Sequence, residues 1–521
     1  MRRQRPPHPY RTDQPSLHQL HRFPLHLWRQ NCQRPRPQNQ LSPLAPWRVL
    51  NAKGLWLTPS QKVFVENFTK DYCAKTKTSK QQTQENRPHL ADPRTVSGFS
   101  PLIKEMTYPI VVDYAYGAMM TDVDGNEYID MNSGFGSNMF GHQPDFIQTA
   151  MKEQLDRGME IGPQHPLAAK TAALICEMTG MDRVAFSSTG SEAVTGALRV
   201  ARTVTARDKI MSFTGAYHGI FDEVVTRTTP KGGAYPAAPG ILPSSCDQVL
   251  LSEYGADEAL RRLDEAGPEL AAVLVEPVQS RAPDLQPREF LHEVRKLCTK
   301  HGVAMIMDEI VTGFRIHPGG AQVHFGVEAD ITTYGKVMGG GMMIGAIAGR
   351  SKWMDAFDGG MWSFGDSSCP ETMITYFAGT FVRHPLALSA AHAGLTYMKE
   401  QGAALQEDLN RKAANLTSEL AAFVDSVGAP IKMECFASLV RVNLPDDLPH
   451  TRMFYQLMRH RGFFILEDRN MFLIIAHTAD HLRAFADAFK EVVSLLQAEG
   501  FMPSRETAGS VLTQQPDMVG A

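Results

Sequence analysis

The sequence predicts an α/β protein: a mostly parallel sheet in a large domain, with a smaller α+β domain after it. Three observations predict this. Between Val184 and Arg350 short apolar runs alternate with helical patterns, the signature of parallel strands joined by crossover helices. After about His384 longer helices with a few strands take over. The 521 residues, 43% of them hydrophobic and 21% charged, can bury a large core.

Up to about Leu50 the chain is rich in Arg, Pro, His and Gln, with Asp13 as its one acidic residue. Residues 1–55 therefore read as a disordered leader or linker. An organelle transit peptide has a similar Arg-rich, acid-poor composition, but here Ser is scarce and no amphipathic helix is evident. Residues 56–140 hold an N-terminal helix and a small β-unit. The helix begins near Thr58-Pro59-Ser60, a capping residue before an early proline. In the β-unit, Val112–Met131 alternates apolar and polar residues around Asp124-Gly125-Asn126, which predicts a hairpin with a tight turn.

The large domain spans 141–385. Its strands are VAFSS, KIMSFTG, AAVLVEP, VAMIMDE, DITTYGK and GAIAGR. The small C-terminal domain, 386–500, contains ASLVRVNLP and NMFLIIAH as strands. Its last helix carries Leu482, Phe485, Phe489, Val492, Val493 and Leu496 at helical spacing, a packing stripe. Residues 501–521 read as a flexible tail.

Charge and cysteine usage exclude several classes. A net charge of -4 offers no global attraction to nucleic acid or anionic lipid, and no run approaches the ~20 apolar residues of a membrane helix. Seven scattered cysteines, with no C-x-x-C pair, point to a reducing cytoplasmic setting and no metal site. Small molecules are the expected partners.

The residues that could carry chemistry sit at or just past predicted strand ends, where ligands collect in such sheets. Thr189-Gly190-Ser191 open a helix whose apolar face is Val194, Ala197, Leu198, Ala201 and Val204. Free amides there, with the Thr189 and Ser191 hydroxyls, suit a phosphate dianion, and equally describe a capped helix start. Asp308-Glu309 end an apolar strand, where a carboxylate requires a cation or strong donor. A protonated pyridine nitrogen is one such partner, a core salt bridge or helix cap another. Lys336 follows a strand and precedes Gly339–Gly341, so a desolvated amine competes with a surface lysine before a loop. Tyr217-His218 offer a flat ring that either stacks on a cofactor or fills the core. Glu276 ends a further strand. Each signal is modest alone; their order on one sheet is not random.

That ordered set, STGSEA, YHG, VEPV, DEIVTGFR, GK before glycines, and FAGTF, resembles the class III aminotransferases. The glutamate-1-semialdehyde aminomutase-like branch is the most similar, over roughly 108–500. The resemblance implies a fold type I enzyme that uses pyridoxal 5'-phosphate. Lys336 would be its Schiff-base lysine and Asp308 the partner of the pyridinium nitrogen, with Tyr217 stacking on one face of the ring and Ile310 on the other. Gly190 and Ser191 would bind the phosphate, with Thr189, His218 and Glu276 around the cofactor. A homodimer with shared active sites is implied, in which Thr380 reaches the neighbouring cofactor's phosphate.

Narrower strings, VEPVQSRAPDLQP, FDGGMWSFGDSSCPE and AGTFVRHPLAL, look like aminotransferase domains of hybrid polyketide–peptide synthetases. They imply an amino-acid donor and a β-ketoacyl acceptor on an acyl carrier protein, in secondary-metabolite biosynthesis. A free ketone or aldehyde acceptor, or an aminomutase reaction, is the alternative. Arg281 stands where many relatives carry an acidic gate, and Val311 where many carry Gln. Phe135, Arg281 and Glu467 are the candidates for lining the substrate pocket, with Asp468 and Arg469 close to the last. A fold kept only as a dimeric interaction module is disfavoured by the intact Lys336, Asp308 and phosphate turn.

Overall fold

A computed structural model describes residues 57–229, 233–446 and 448–505. The expected leader over 1–55, with Cys32, lies outside the described residues; of the expected flexible tail over 501–521, Phe501 and Met502 are instead buried in the core, and the part beyond residue 505 lies outside the described residues.

The first helix starts where its capping signals stand. It runs Pro59–Lys75, Thr58 accepts from the Gln61 amide at 3.2 Å, and the Gln61 side chain returns to the Thr58 amide at 3.0 Å. This reciprocal cap satisfies two orphan donors. Val65, Phe68 and Tyr72 are its buried face. Strands β1 (Val112–Tyr116), β2 (Met119–Asp122) and β3 (Glu127–Asp130) then form a meander with two turns, where the sequence predicted one hairpin. The predicted turn joins β2 to β3, with Gly125 at φ +82° and the Asp122 carboxylate accepting from the Asp124 and Asn126 amides. The extra reversal falls at Gly117, also left-handed.

The large sheet contains β4 (Arg183–Ser187), β5 (Lys209–Phe213), β8 (Val249–Ser252), β9 (Leu270–Val275), β10 (Ala304–Asp308), β11 (Ile331–Tyr334) and β12 (Gly345–Gly349), and a small hairpin, β6 (Thr226–Thr228) with β7 (Ala234–Pro236), stands apart. The order is β4-β12-β11-β10-β9-β5-β8, parallel throughout except for β12, which runs against both neighbours. All six strands read from the sequence are present. The seventh, β8, escaped because VLLS is short and begins directly after a polar turn. Strands β9 and β10 are buried along their whole length, as expected of apolar runs covered on both faces. The small residues of β12 admit the helix Gly190–Thr205: a Cβ on Gly196 of that helix would come 2.5 Å from Ile347 Cδ1.

The helices Pro385–Gln401 and Ala404–Val427 lead into β13 (Lys432–Phe436), β14 (Leu439–Asn443), the helix Met453–His460, β15 (Phe463–Phe464), β16 (Met471–Phe472) and the helix Ala479–Ala498. Strands β13, β14 and β16 make a three-stranded antiparallel sheet. NMFLIIAH contributes only Met471–Phe472 as strand, because Ile475 N turns away to Met139 O. The last helix buries Phe485, Phe489, Val492, Val493 and Leu496, with Leu482 partly buried, as its stripe predicts.

The N-terminal segment is not a separate unit ahead of the main body. Val65, Phe68 and Tyr72 share one core with Phe454, Phe485 and Phe489, and β15 pairs in parallel with β3, Phe463 opposite Ile129. The first helix lacks enough apolar surface to stand alone. Its burial comes from the end of the chain.

Candidate active site

The carboxyl ends of β4, β5, β9, β10 and β11 deliver Thr189–Ser191, Tyr217-His218, Glu276, Asp308 and Lys336 to one side of the sheet. Asp308 closes the central strand and is 3% exposed. Its Oδ2 lies 2.7 Å from His218 Nδ1, while Oδ1 accepts from Thr333 Oγ1 at 3.1 Å and from the Ile310 amide at 3.2 Å. Thr333 can do this because it sits opposite Asp308 in the β10–β11 register. Three donors compensate a carboxylate that burial alone would disfavour. On the far side of the imidazole, His218 Nε2 is buried with no hydrogen-bond partner.

Glu276 is also buried, and desolvation pushes its carboxyl up from the ordinary range, with the Asp308 charge adding to the effect. Its oxygens accept from the Tyr217 amide at 3.1 Å and the Ser280 amide at 3.0 Å, so it anchors two loops at the strand ends.

Lys336 occupies a left-handed backbone conformation, φ +42°, immediately after an extended Gly335. A non-glycine residue held there stores on the order of 1 kcal/mol, a cost found mostly at functional sites. Burial holds its amine below the ordinary lysine range, against the opposing pull of Asp308 and Glu276, and among the described residues it donates no hydrogen bond. Such an amine is available as a nucleophile or a base.

The turn between β4 and the helix Gly190–Thr205 is a capped helix start, one of the two readings its sequence leaves open. Thr189 is the N-cap: its hydroxyl accepts from the Glu192 amide at 3.2 Å, and the Glu192 carboxylate takes the Ser188 and Thr189 amides. Glu192's amide and Thr189's are thus consumed internally. Gly190 and Ser191, in the first turn, keep amides that no helical carbonyl can reach. The walls beside them are close. A Cβ on Gly219 would lie 2.5 Å from Ser191 Oγ, and one on Gly190 would lie 2.8 Å from Ile310 Cδ1. Tyr217, 48% exposed, leaves its ring open to the cleft. The cleft thus offers amide donors at one end, a fixed carboxylate at its floor, an aromatic face and a low-pKa amine. A flat ring bearing an anion and a protonated nitrogen fits that set.

The predicted rim divides. Phe135 is 47% exposed, its amide held by Asn132 Oδ1 at 3.1 Å, and Arg281 is exposed just past Ser280. Glu467 is placed elsewhere: its buried carboxylate pairs with Arg459, accepts from Gln456 and packs on Gly98. The exposed side chain at that bend is Arg469. Thr380 is exposed and joins none of these contacts within one chain.

Thr333 and Arg315 went unread as site residues. Thr333 was hidden in a strand string, legible only once register set it beside Asp308. Arg315 lies within DEIVTGFR. Fully buried and without a carboxylate partner among the described residues, it donates to Ser438 Oγ at 2.7 Å and to Gly136 O, stacks over the Phe472 ring, and has its pKa pushed down to about 9 by burial.

Comparison with known proteins bears on the whole chain. The family model for aminotransferase class-III matches residues 103–493. A glutamate-1-semialdehyde 2,1-aminomutase from Nitratidesulfovibrio vulgaris is 32% identical over 404 residues, 74% of this chain and 91% of the relative. One from Methanosphaera stadtmanae is 30% identical over 414 residues, 76% and 94% of the two chains. Among solved structures, a transaminase with PLP bound superposes with TM-score 0.72 at 26% identity, covering 82% of this chain and 99% of the other. An omega-transaminase from Sphaerobacter thermophilus gives the same TM-score at 24% identity, over 80% and 97%, and supports the fold.

Proposed function

The chain belongs to the class III aminotransferase family, and on that premise we propose that it moves an amino group from an amino-acid donor to a ketone or aldehyde acceptor. It is a pyridoxal-phosphate-dependent enzyme. The observation that carries the reading is the convergence of Lys336, the His218–Asp308 pair and the open Gly190–Ser191 amides on the strand ends of one sheet.

Bound pyridoxal phosphate supplies an electron sink for the electrons of a broken C–H bond. Each protein group then has a task. Asp308, fixed by His218 and Thr333, would keep a proton on the ring nitrogen by its negative charge. Gly190 and Ser191 donate amides to the phosphate at a helix N-terminus, where the dipole favours an anion. Tyr217 and Ile310 would be the side chains that hold the ring. Lys336 Nζ would hold the cofactor and, as the free amine, would carry the proton off the donor's reacting carbon; a single base on one side would fix the product's stereochemistry.

The acceptor we infer is a β-ketoacyl chain on a carrier protein in secondary-metabolite biosynthesis. The strings VEPVQSRAPDLQP, FDGGMWSFGDSSCPE and AGTFVRHPLAL support this. A free carbonyl acceptor is the alternative. The aminomutase reading is favoured by the names of the 30% and 32% identical relatives. Against it, the acid at the late bend, Glu467, is consumed by Arg459.

Class III aminotransferases are typically dimeric, and we infer a homodimer in which the partner subunit's Thr380 completes each phosphate site. The 361–381 segment supports this, with Met361, Phe364, Tyr376 and Phe381 at 83%, 91%, 79% and 61% exposure. Apolar side chains so gathered mark a surface that a partner covers.

The test loads purified protein with pyridoxal phosphate and offers it amino donors with a β-ketoacyl chain, carrier-bound or free. Loss of the donor's amino group to the acceptor is the expected result, abolished in Lys336→Ala. An active Lys336→Ala enzyme sinks the assignment. Turnover without any donor establishes the aminomutase instead, and indifference to the carrier establishes a small-molecule acceptor.

A further inference from the structure

Arg281 does not stand alone at the mouth of the cleft. Ser280 before it donates to Glu276 Oε1 at 3.0 Å, and the Ser280 carbonyl accepts from Asn470 Nδ2 at 2.7 Å. That bond pins the 280 loop to the bend carrying Arg469. Asn470 Oδ1 in turn accepts from Arg441 Nη1 at 3.1 Å, which also reaches the Asp468 carbonyl at 3.3 Å. Arg227 on β6 is close enough for its charge to act on Arg281, as do those of Arg469 and Arg441.

Arg227, Arg281 and Arg469 are exposed, and among the described residues none of the three forms an ion pair or a side-chain hydrogen bond. The acids nearby are committed. Glu276 is buried under two amides, and Asp468 pairs with Arg452. Partial burial and the neighbouring cations hold the Arg281 guanidinium below its ordinary range, with Glu276 opposing them. A surface guanidinium commonly finds a carboxylate. Here several converge one hydrogen-bonded step from the strand ends and are left without one, so they repel each other until an anion arrives.

We propose that Arg281, Arg469 and Arg227, with Arg441 braced behind them, form a subsite for an oxyanion, a carboxylate or a phosphate, at the end of the substrate remote from its reacting carbon. The placement of that end rests on the aminotransferase reading. The anion itself is recognised by guanidinium forks, whose paired N–H groups match two oxygens of either group. The subsite also accounts for Arg281 standing where relatives carry an acid: an acid there would repel such a substrate.

Binding, not turnover, is the test. The pyridoxal-phosphate-loaded protein is titrated calorimetrically with glutarate and glycerol 3-phosphate, each against its uncharged counterpart, glutaramide and glycerol. At least one anion should bind ~10-fold or more tightly than its counterpart, and Arg281→Gln and Arg469→Gln should each weaken it by ~10-fold or more. Which anion binds distinguishes carboxylate from phosphate. Arg261→Gln, on the remote helix Asp257–Ala266, removes the same charge and should bind as the unaltered protein does. Equal binding of charged and uncharged ligands overturns the proposal, as does an equal loss in Arg261→Gln. A protein that binds the anion but transaminates no donor would sink the aminotransferase reading and leave the subsite standing.

Discussion

His218 Nδ1 and Asp308 Oδ2 stand 2.7 Å apart, both side chains are buried, and the second imidazole nitrogen has no hydrogen-bond partner among the described residues. The histidine is thus committed to one function, the orientation of a carboxylate. Thr333 grips the other oxygen, so Asp308 cannot rotate.

Removing His218 should loosen the cofactor. A hydrogen bond to a charged group contributes about 1.5 to 3 kcal/mol, so His218→Ala should weaken pyridoxal-phosphate affinity ~10- to 100-fold, measured by absorbance titration of the stripped protein. Thr333→Val, which removes one donor without opening a cavity, should cost less. A larger loss in Thr333→Val would show that the imidazole is not the main support.

Lys336 carries a pH prediction whose sign follows from burial. Its amine is lowered from 10.5, so the unfolded chain binds the proton more tightly than the folded cofactor-free protein. Stability then rises with pH from the folded value up to 10.5 and is penalised below that window. Lys336→Met should therefore raise the melting temperature of cofactor-free protein at neutral pH, and the gain should shrink as pH approaches the ordinary lysine value. Calorimetry across pH measures it; a gain that does not change with pH would assign the effect to apolar packing of the methionine and not to the amine's charge.

Two glycines separate backbone from contact. Gly219, at φ +113°, would place a Cβ 2.5 Å from Ser191 Oγ, whereas Gly240, at φ +91°, would meet nothing within 4 Å. Gly240→Ala should cost about 1 kcal/mol of stability and leave cofactor binding intact. Gly219→Ala should displace the helix start and lower cofactor affinity at least ~10-fold by the same titration.

Arg315 ties Gly136 of the Phe135 loop to Ser438 of the C-terminal part. Arg315→Met leaves a buried carbonyl unpaired, worth about 1 to 3 kcal/mol of stability. With the Phe135 loop loosened, KM for the acceptor should rise more than kcat falls. A fall in kcat alone would place the arginine in the chemistry.

Strand ends were legible because their apolar runs are long and the polar residues beyond them abrupt. Lys336, Asp308, Glu276 and Tyr217 were found that way. Thr333 was not, since its task depends on register with β10 and no local string reports register. Glu467, Asp468 and Arg469 are consecutive, and sequence could not say which faces the cleft; a buried Arg459 decides it by capturing Glu467. The joining of the first helix to the last was equally hidden, because a polar helix with three core residues shows no partner in its own pattern.

That joining also sets a timetable for the growing chain. Gln61 Nε2 bonds Gly500 O, 439 residues downstream. At about 5 to 20 residues per second, the ribosome takes roughly 20 to 90 s to supply the second partner. Through that interval Val65, Phe68 and Tyr72 have Ile103, Met106 and Tyr108 to pack against, but not Phe454, Phe485 and Phe489, which complete their core.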